Sequence, residues 1–202
     1  MIKKIVVATT SKYKEREIKA LLKDLDIEVI SMTAFDKYPK TIEDGKTIED
    51  NAIKKAKEAA KFFNSWVLAD DTGLEVDCLN GEPGVFSARY AGEGCHFADN
   101  ISKLLYVLKD VPFEKRTARF RTVIAIASPN GQLCLSRGQI YGIISLTEKG
   151  QYNFGYDPIF YIPKYNKTFA ELTPDIKNTI SHRAKALQQV KGYLTNYKQT
   201  GK

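Results

Sequence analysis

The chain is poor in the features that announce a special environment. Its three cysteines, Cys78, Cys95 and Cys134, are odd in number, far apart and without a C-x-x-C pair. Neither a disulfide framework nor a thiolate zinc site is indicated, and reduced thiols are expected. No apolar run approaches 18 residues, which excludes an encoded membrane span. Met1-Ile-Lys-Lys runs straight into Ile5-Val-Val-Ala and lacks the apolar length and cleavage site of a signal peptide, so a cytoplasmic protein is expected. Internal repeats, low-complexity tracts and long linkers are missing as well. So are the phosphate loop G-x-x-x-x-G-K-[ST] and the glycine-rich dinucleotide fingerprint. With 43% hydrophobic and 11% aromatic residues, disorder is excluded, and 202 residues suit one domain, 1–202, with two lobes and a substantial core.

What is present is charge, unevenly placed. The 31 Lys and Arg exceed the 24 Asp and Glu, for a formal net charge of +7. Residues 1–23 carry seven basic groups against two acidic, and residues 151–202 carry eight against three, whereas residues 66–94 carry one against six. Basic flanks around an acidic centre suit an anionic ligand held by cations together with a divalent metal held by carboxylates, more than a uniform polyanion-binding surface.

Periodicity predicts a mixed α/β protein. A β-branched run at 2–9 leads through Thr10-Ser11 to a helix over 12–25, with Ile18, Leu21, Leu22 and Leu25 on one face. A strand over 27–32 follows, then a loop. Thr47 and Asp50 form a capping-box pattern before a helix carrying Ala52, Ala56, Ala59, Ala60 and Phe63. A short apolar run from Trp66 ends at Asp70-Asp71-Thr72-Gly73 and resumes at Leu74, which places the acidic pair at a strand break. A helix is expected over 97–108. The run 117–128, the hairpin dipeptide Asn130-Gly131 and a second run over 132–146 predict a long hairpin. Ile159 to Ile162 form an apolar run, and a last helix begins near Ser181 with Ala184, Leu187, Val190 and Leu194 inward.

Four constellations can carry chemistry. Asp70 and Asp71 at the end of a buried strand need positive neighbours, and magnesium, which takes one or two protein carboxylates and completes its shell with water and phosphate, suits them; the same tetrapeptide also suits a solvated turn. Glu43 and Asp44 in the upstream loop are further candidate ligands. Thr9-Thr10-Ser11-Lys12-Tyr13-Lys14 puts hydroxyls, amides and a cation at a helix N-terminus, an anion site or simply a helix cap. Lys177 to Arg183 contains His182 and Arg183, able to recognise a phosphate or a base edge. Phe154-Gly155-Tyr156-Asp157 sets an aromatic ring beside a glycine, as a flat ligand requires and as an ordinary turn also does.

The order of these signals along the chain is more specific than any one of them. Ala8 to Lys14, Asp50-Asn51-Ala52-Ile53-Lys54-Lys55-Ala56, Ala69-Asp-Asp-Thr-Gly-Leu74, Gly84-Val-Phe-Ser-Ala-Arg-Tyr90, Phe154-Gly-Tyr-Asp-Pro-Ile-Phe160, and Ala170-Glu-Leu-Thr173 through Ser181-His-Arg183 together resemble the inosine triphosphate pyrophosphatase family almost end to end. The resemblance implies an elongated α/β fold, with a central mixed β-sheet and flanking helices forming two lobes around a nucleotide cleft, and a homodimer. It implies hydrolysis of non-canonical purine nucleoside triphosphates such as ITP, dITP and XTP to the monophosphate and pyrophosphate, without a stable nucleic-acid or membrane partner. By the same resemblance Thr9 to Lys14 and Lys55 cradle phosphates, and Arg89 offsets their charge. Asp71 is proton acceptor and magnesium ligand, with Asp70 and Glu43 as metal partners and Thr72 at the substrate. Phe154 to Asp157 hold base and sugar, while Lys177, His182 and Arg183 read the 6-oxo edge and the phosphates. The chain departs from the family pattern at Ser11, where Asn is usual, at Asn153, where Gly is common, and at Gly94-Cys95-His96, which replaces a more acidic stretch.

Two other readings compete: a pyrophosphatase for modified pyrimidine nucleotides, and a non-catalytic nucleotide- or RNA-binding protein using the basic termini. Against the latter, the aromatic residues are not interleaved with the basic ones as a stacking platform requires.

Overall fold

The computed structural model describes residues 2–152 and 154–200, the last three by backbone alone; Asn153 lies outside the described residues. Its strands are β1 (Lys4–Val7), β2 (Glu28–Ser31), β3 (Val67–Val76), β4 (Pro83–Gly84), β5 (Thr117–Ala127), β6 (Leu133–Ile144), β7 (Phe160–Ile162) and β8 (Lys167–Thr168), and its α-helices are α1 (Lys12–Leu22), α2 (Ile48–Phe63), α3 (Phe97–Val107), α4 (Pro174–Ile180) and α5 (His182–Thr200). The strands form one mixed sheet of order β2-β1-β3-β5-β6-β7-β8, with β4 on β3. β1 runs parallel to β2 and β3, and β4, β7 and β8 pair antiparallel. The expected α/β class with a central mixed sheet is what the chain adopts. No helix among the described residues is long and apolar enough to cross a membrane.

The chain divides into two compact units, the first built from residues up to Asp71, Thr122–Gly138 and the chain from Arg183 onward, the second from Thr72–Arg121 and Gln139–His182. In the first unit, Val6 N donates to Trp66 O and Ala8 N to Leu68 O, both at 2.8 Å, so the carboxyl end of β1 lies beside the first residues of β3, just before Asp70 and Asp71. Ligands of open parallel sheets collect at such ends. Ile5, Val7, Ile18, Leu22, Leu68, Ile124, Leu187, Val190 and Leu194 form the core there. Ser11 caps α1 by accepting from Lys14 N. α2 starts on the full Thr47–Asp50 capping box, ends at left-handed Asn64, and buries Ala52, Ala56, Ala59 and Ala60; side chains this small let the helix pack closely.

The core of the second unit contains Leu74, Leu104, Phe120, Phe160 and Phe169. Two glycines allow close approaches in it. A Cβ on Gly142 would meet Tyr161 O at 2.6 Å, and one on Gly150, whose φ is +101°, would meet Ala170 C at 2.3 Å.

Several expectations hold at the level of elements. The long hairpin exists as neighbouring β5 and β6, with Gly131 at φ +86°, and all four inward residues assigned to the last helix are buried. Others are corrected. The first helix ends at Leu22, three residues short of the expected end. A separate α4, capped by Thr173 with Pro174 in its first turn, precedes α5. The acidic pair does not sit at a strand break: β3 is continuous, and residues 67–71 are all buried. Asp-Asp-Thr-Gly is turn-like in composition, but charged neighbours keep the two aspartates inside the strand.

Candidate active site

A cavity of about 420 Å³ opens in the first unit at the carboxyl end of β1, beside Asp70 of β3. Thr9, Thr10, Ser11 and Lys14 reach it from the start of α1, Lys55 and Ala59 from α2, Glu43 from the preceding loop, and Asp70 from β3. Thr9 Oγ1 accepts from Ser11 N at 3.1 Å. Lys12 and Tyr13, predicted to join this cradle, are exposed on the first turn of α1.

Two ionic clusters, each built on a buried aspartate, stand at the cavity. In the first, Asp70 Oδ2 bonds Lys14 Nζ at 3.1 Å and Arg183 Nε at 3.2 Å, with no side-chain exposure at Asp70 and 2% at Arg183. Arg183 also pairs with Glu17. Burial alone would raise the Asp70 pKa, but Lys14, Arg183 and Lys55 overcome it and hold the carboxyl well below the usual range. Burial disfavours the Arg183 cation too, yet Asp70 and Glu17 outweigh it and raise its pKa. In the second cluster, Lys55 Nζ donates to Asp71 Oδ1 at 2.9 Å, Glu43 Oε1 at 3.0 Å and the Asp70 carbonyl at 2.9 Å. Burial works against the Lys55 ammonium, but Asp71, Glu43 and Asp70 prevail and keep it protonated. Asp71 moves the other way: burial pushes its carboxyl up, against the pull of Lys55 and Lys14.

This donor set fits a magnesium ion in part. Glu43 and Asp71 converge on one cation, the Lys55 ammonium, and two carboxylates with water and phosphate are a usual magnesium complement. Asp70, the third expected ligand, bonds Lys14 and Arg183 through Oδ2. Asp44, the other loop candidate, pairs with Lys54 at 2.7 Å. Among the described residues no group of three His, Cys, Asp or Glu side chains is arranged to hold a metal.

The remaining predicted residues lie in the second unit, except Arg183, which is in the first. Lys177 Nζ bonds Asp157 Oδ2 at 2.5 Å and stands 5.4 Å from the centre of the Phe169 ring. Phe154 meets Phe97 edge-on, with ring centres 5.5 Å apart. Gly155 takes a left-handed φ of +57°. Tyr156 is a core residue whose hydroxyl donates to Ser87 O at 2.9 Å, and burial pushes its phenol up. His182 is buried and stacks on Phe120 at 4.8 Å. Arg89 pairs with Glu93 at 3.3 Å and covers Phe86, in a second cavity with Tyr90 and Lys103. Thr72 is half-buried on β3. Arg183 lies inside an ionic cluster, where it bonds Asp70 and Glu17.

Sequence reasoning missed Glu17 and Asn51. Glu17 stands one turn beyond Lys14 on the same helix, a spacing that puts both on one face. Asn51 is fully buried one turn before Lys55.

A mixed-sheet α/β protein that gathers hydroxyls and two lysines at the carboxyl end of a parallel strand, at the start of a helix, has the makings of a site for a phosphorylated ligand. Residues 5–193 match the model of the Ham1 family, and the chain belongs to that family. A protein of Desulforamulus reducens named dITP/XTP pyrophosphatase is 52% identical over 186 residues, 92% of each chain. One from Leuconostoc mesenteroides with the same name is 50% identical over 190 residues, 93% of this chain and 94% of its own. The solved structure of a HAM1 protein from Coxiella burnetii matches with a TM-score of 0.88 at 42% identity, over 97% of this chain and 100% of that one. The family resemblance drawn from the ordered motifs is thereby established.

Proposed function

We propose that the protein is a magnesium-dependent pyrophosphatase that hydrolyses non-canonical purine nucleoside triphosphates, dITP, XTP and ITP, to the monophosphate and pyrophosphate. The relatives named above support the substrate class. The observation that carries the reading is the cavity of the first unit, lined by Lys14, Lys55, Glu43 and Asp70, with Asp71 bonded to Lys55 behind it.

In this reading the amides and hydroxyls of Thr9 to Ser11 receive the phosphate chain at the start of α1, and Lys14 and Lys55 offset its charge. Lys14 is aimed by Asp70, Asp70 is held by Arg183, and Arg183 is held in turn by Glu17. Glu43 and Asp71 are the side chains that would hold magnesium, which supplies a Lewis acid for the phosphate oxygens. Water attacks the α-phosphorus, the bond to the bridging oxygen breaks, and pyrophosphate leaves. Asp71 accepts the proton that water gives up.

In the second unit, Phe154, Gly155 and Asp157 serve the base and sugar, and Lys177 and His182 the 6-oxo edge. An ammonium group only donates hydrogen bonds, so it suits a 6-oxo acceptor and is left facing another donor when the base is adenine, a mismatch of roughly 1–3 kcal/mol. Thr72 and Arg89 are assigned to the substrate by family resemblance. The same resemblance supports a homodimer acting in the cytoplasm, with no membrane or stable nucleic-acid partner.

Turnover in ¹⁸O-labelled water tests the bond cleaved. Label in the monophosphate and none in pyrophosphate is expected; label in pyrophosphate refutes attack at the α-phosphorus.

A further inference from the structure

Residues 37–45 have no regular secondary structure, and their C-terminal half lies along α2 in the opposite direction. Thr41 Oγ1 donates to Glu58 Oε2 at 2.6 Å, Lys55 reaches Glu43 at 3.0 Å, Lys54 reaches Asp44 at 2.7 Å, and Gly45 N donates to Asn51 Oδ1 at 2.9 Å. The first three ties join side chains that water reaches at least in part. The fourth ends on a side chain with no exposure at all. A Cβ at Gly45 would lie 2.6 Å from Asn51 Oδ1 and 2.7 Å from the Asp50 Cβ, so glycine is what lets the strap meet the helix there.

Asn51 is also imperfectly satisfied. Its Nδ2 is buried and has no hydrogen-bond partner among the described residues. An apolar side chain of the same volume would carry no such defect, so the useful part of Asn51 is its oxygen. That oxygen holds the strap two residues from Glu43, and two residues of chain span at most about 7 Å. Glu43 in turn faces Lys55, one helical turn beyond Asn51.

We propose that Asn51 is a positioning residue: by accepting from the Gly45 amide it anchors the 37–45 strap and sets the Glu43 carboxylate against Lys55 and the cation site. The anchoring stands on geometry alone, while its consequence for turnover rests on the function proposed above.

Asn51→Ala and Asn51→Asp in the full chain separate the two. By hydrogen exchange of the metal-free protein, peptides covering 37–46 should exchange about five- to tenfold faster in Asn51→Ala, the scale of one lost hydrogen bond. They should stay within about twofold of wild type in Asn51→Asp, which keeps an acceptor. In steady state with dITP, Asn51→Ala should raise the half-saturating magnesium concentration and lower kcat by a similar factor, with KM changing less, and Asn51→Asp should restore both. Asn51→Leu, which fills the space without an acceptor, replaces the alanine variant if that one does not fold. Unchanged exchange in 37–46 overturns the anchor. Faster exchange with an unchanged magnesium response overturns the link to Glu43. A wild-type protein inactive on dITP contradicts the proposed function and leaves the exchange prediction standing to be judged by its own result.

Discussion

Asp70 tests the buried ionic core of the site. Its carboxylate has no side-chain exposure and faces Lys14 at 3.1 Å and Arg183 at 3.2 Å, the latter 2% exposed. Asp70→Asn keeps the shape and one acceptor but cancels no charge, so Lys14 and Arg183 both lose an ionised partner. Removing one member of a buried ion pair is destabilising by about 3–5 kcal/mol, because the remaining charge stays out of water. For a chain of 202 residues, each kcal/mol shifts Tm by roughly 2–4 °C, so a fall of about 10 °C is expected. Urea unfolding at constant m should report the same loss. The pH dependence adds a second constraint. The folded-state pKa of Asp70 is held below the unfolded value of about 3.9. Its contribution is therefore complete above the unfolded pKa and lost as pH falls through the folded one. The gap between wild type and Asp70→Asn should be widest near neutrality and narrow below about pH 4. A loss under about 1 kcal/mol, or a gap independent of pH, would refute the account of this cluster.

Other expectations follow from individual contacts. Lys55→Met leaves Glu43 and Asp71 without their shared cation and should lower kcat by about a hundredfold or more, read from pyrophosphate release by protein whose circular dichroism is unchanged. Asp71→Asn should abolish turnover while nucleotide binding by calorimetry persists; near wild-type rates would remove Asp71 from the chemistry. Gly150→Ala places a Cβ 2.3 Å from the Ala170 carbonyl carbon at φ +101° and should destabilise by at least about 2 kcal/mol in urea unfolding. Thr47→Ala removes the exposed capping box of α2 and should be milder, about 1 kcal/mol.

Much of this was legible in the residues, and what was not has physical reasons. Local signals with a mechanism carried over directly: Thr47 and Asp50 cap α2 as their spacing indicates, Asn130-Gly131 turns the hairpin, and the helical period of Ala184 to Leu194 marks the buried face of α5. Asp70 and Asp71 misled because composition sees two turn-forming acids, whereas their place in β3 depends on Lys14, Lys55 and Arg183, up to 113 residues distant in sequence. Arg183 was assigned to substrate by its motif, yet in the fold it is bonded to Asp70 and Glu17. Tyr156 likewise lies within a ligand-like motif, but its ring is part of the second core and its hydroxyl is bonded to Ser87. Asn51 carried no signal beyond its helix position, since its partner, the Gly45 amide, belongs to the backbone.

The central claim is tested most directly by presenting purified protein with dITP, XTP and dATP, with magnesium and with the metal chelated, and separating pyrophosphate from orthophosphate. The account predicts pyrophosphate from dITP and XTP, at least tenfold less from dATP given a mismatch of roughly 1–3 kcal/mol, and none without the metal. Orthophosphate as the product, equal turnover of dATP, or full activity in chelator would contradict it.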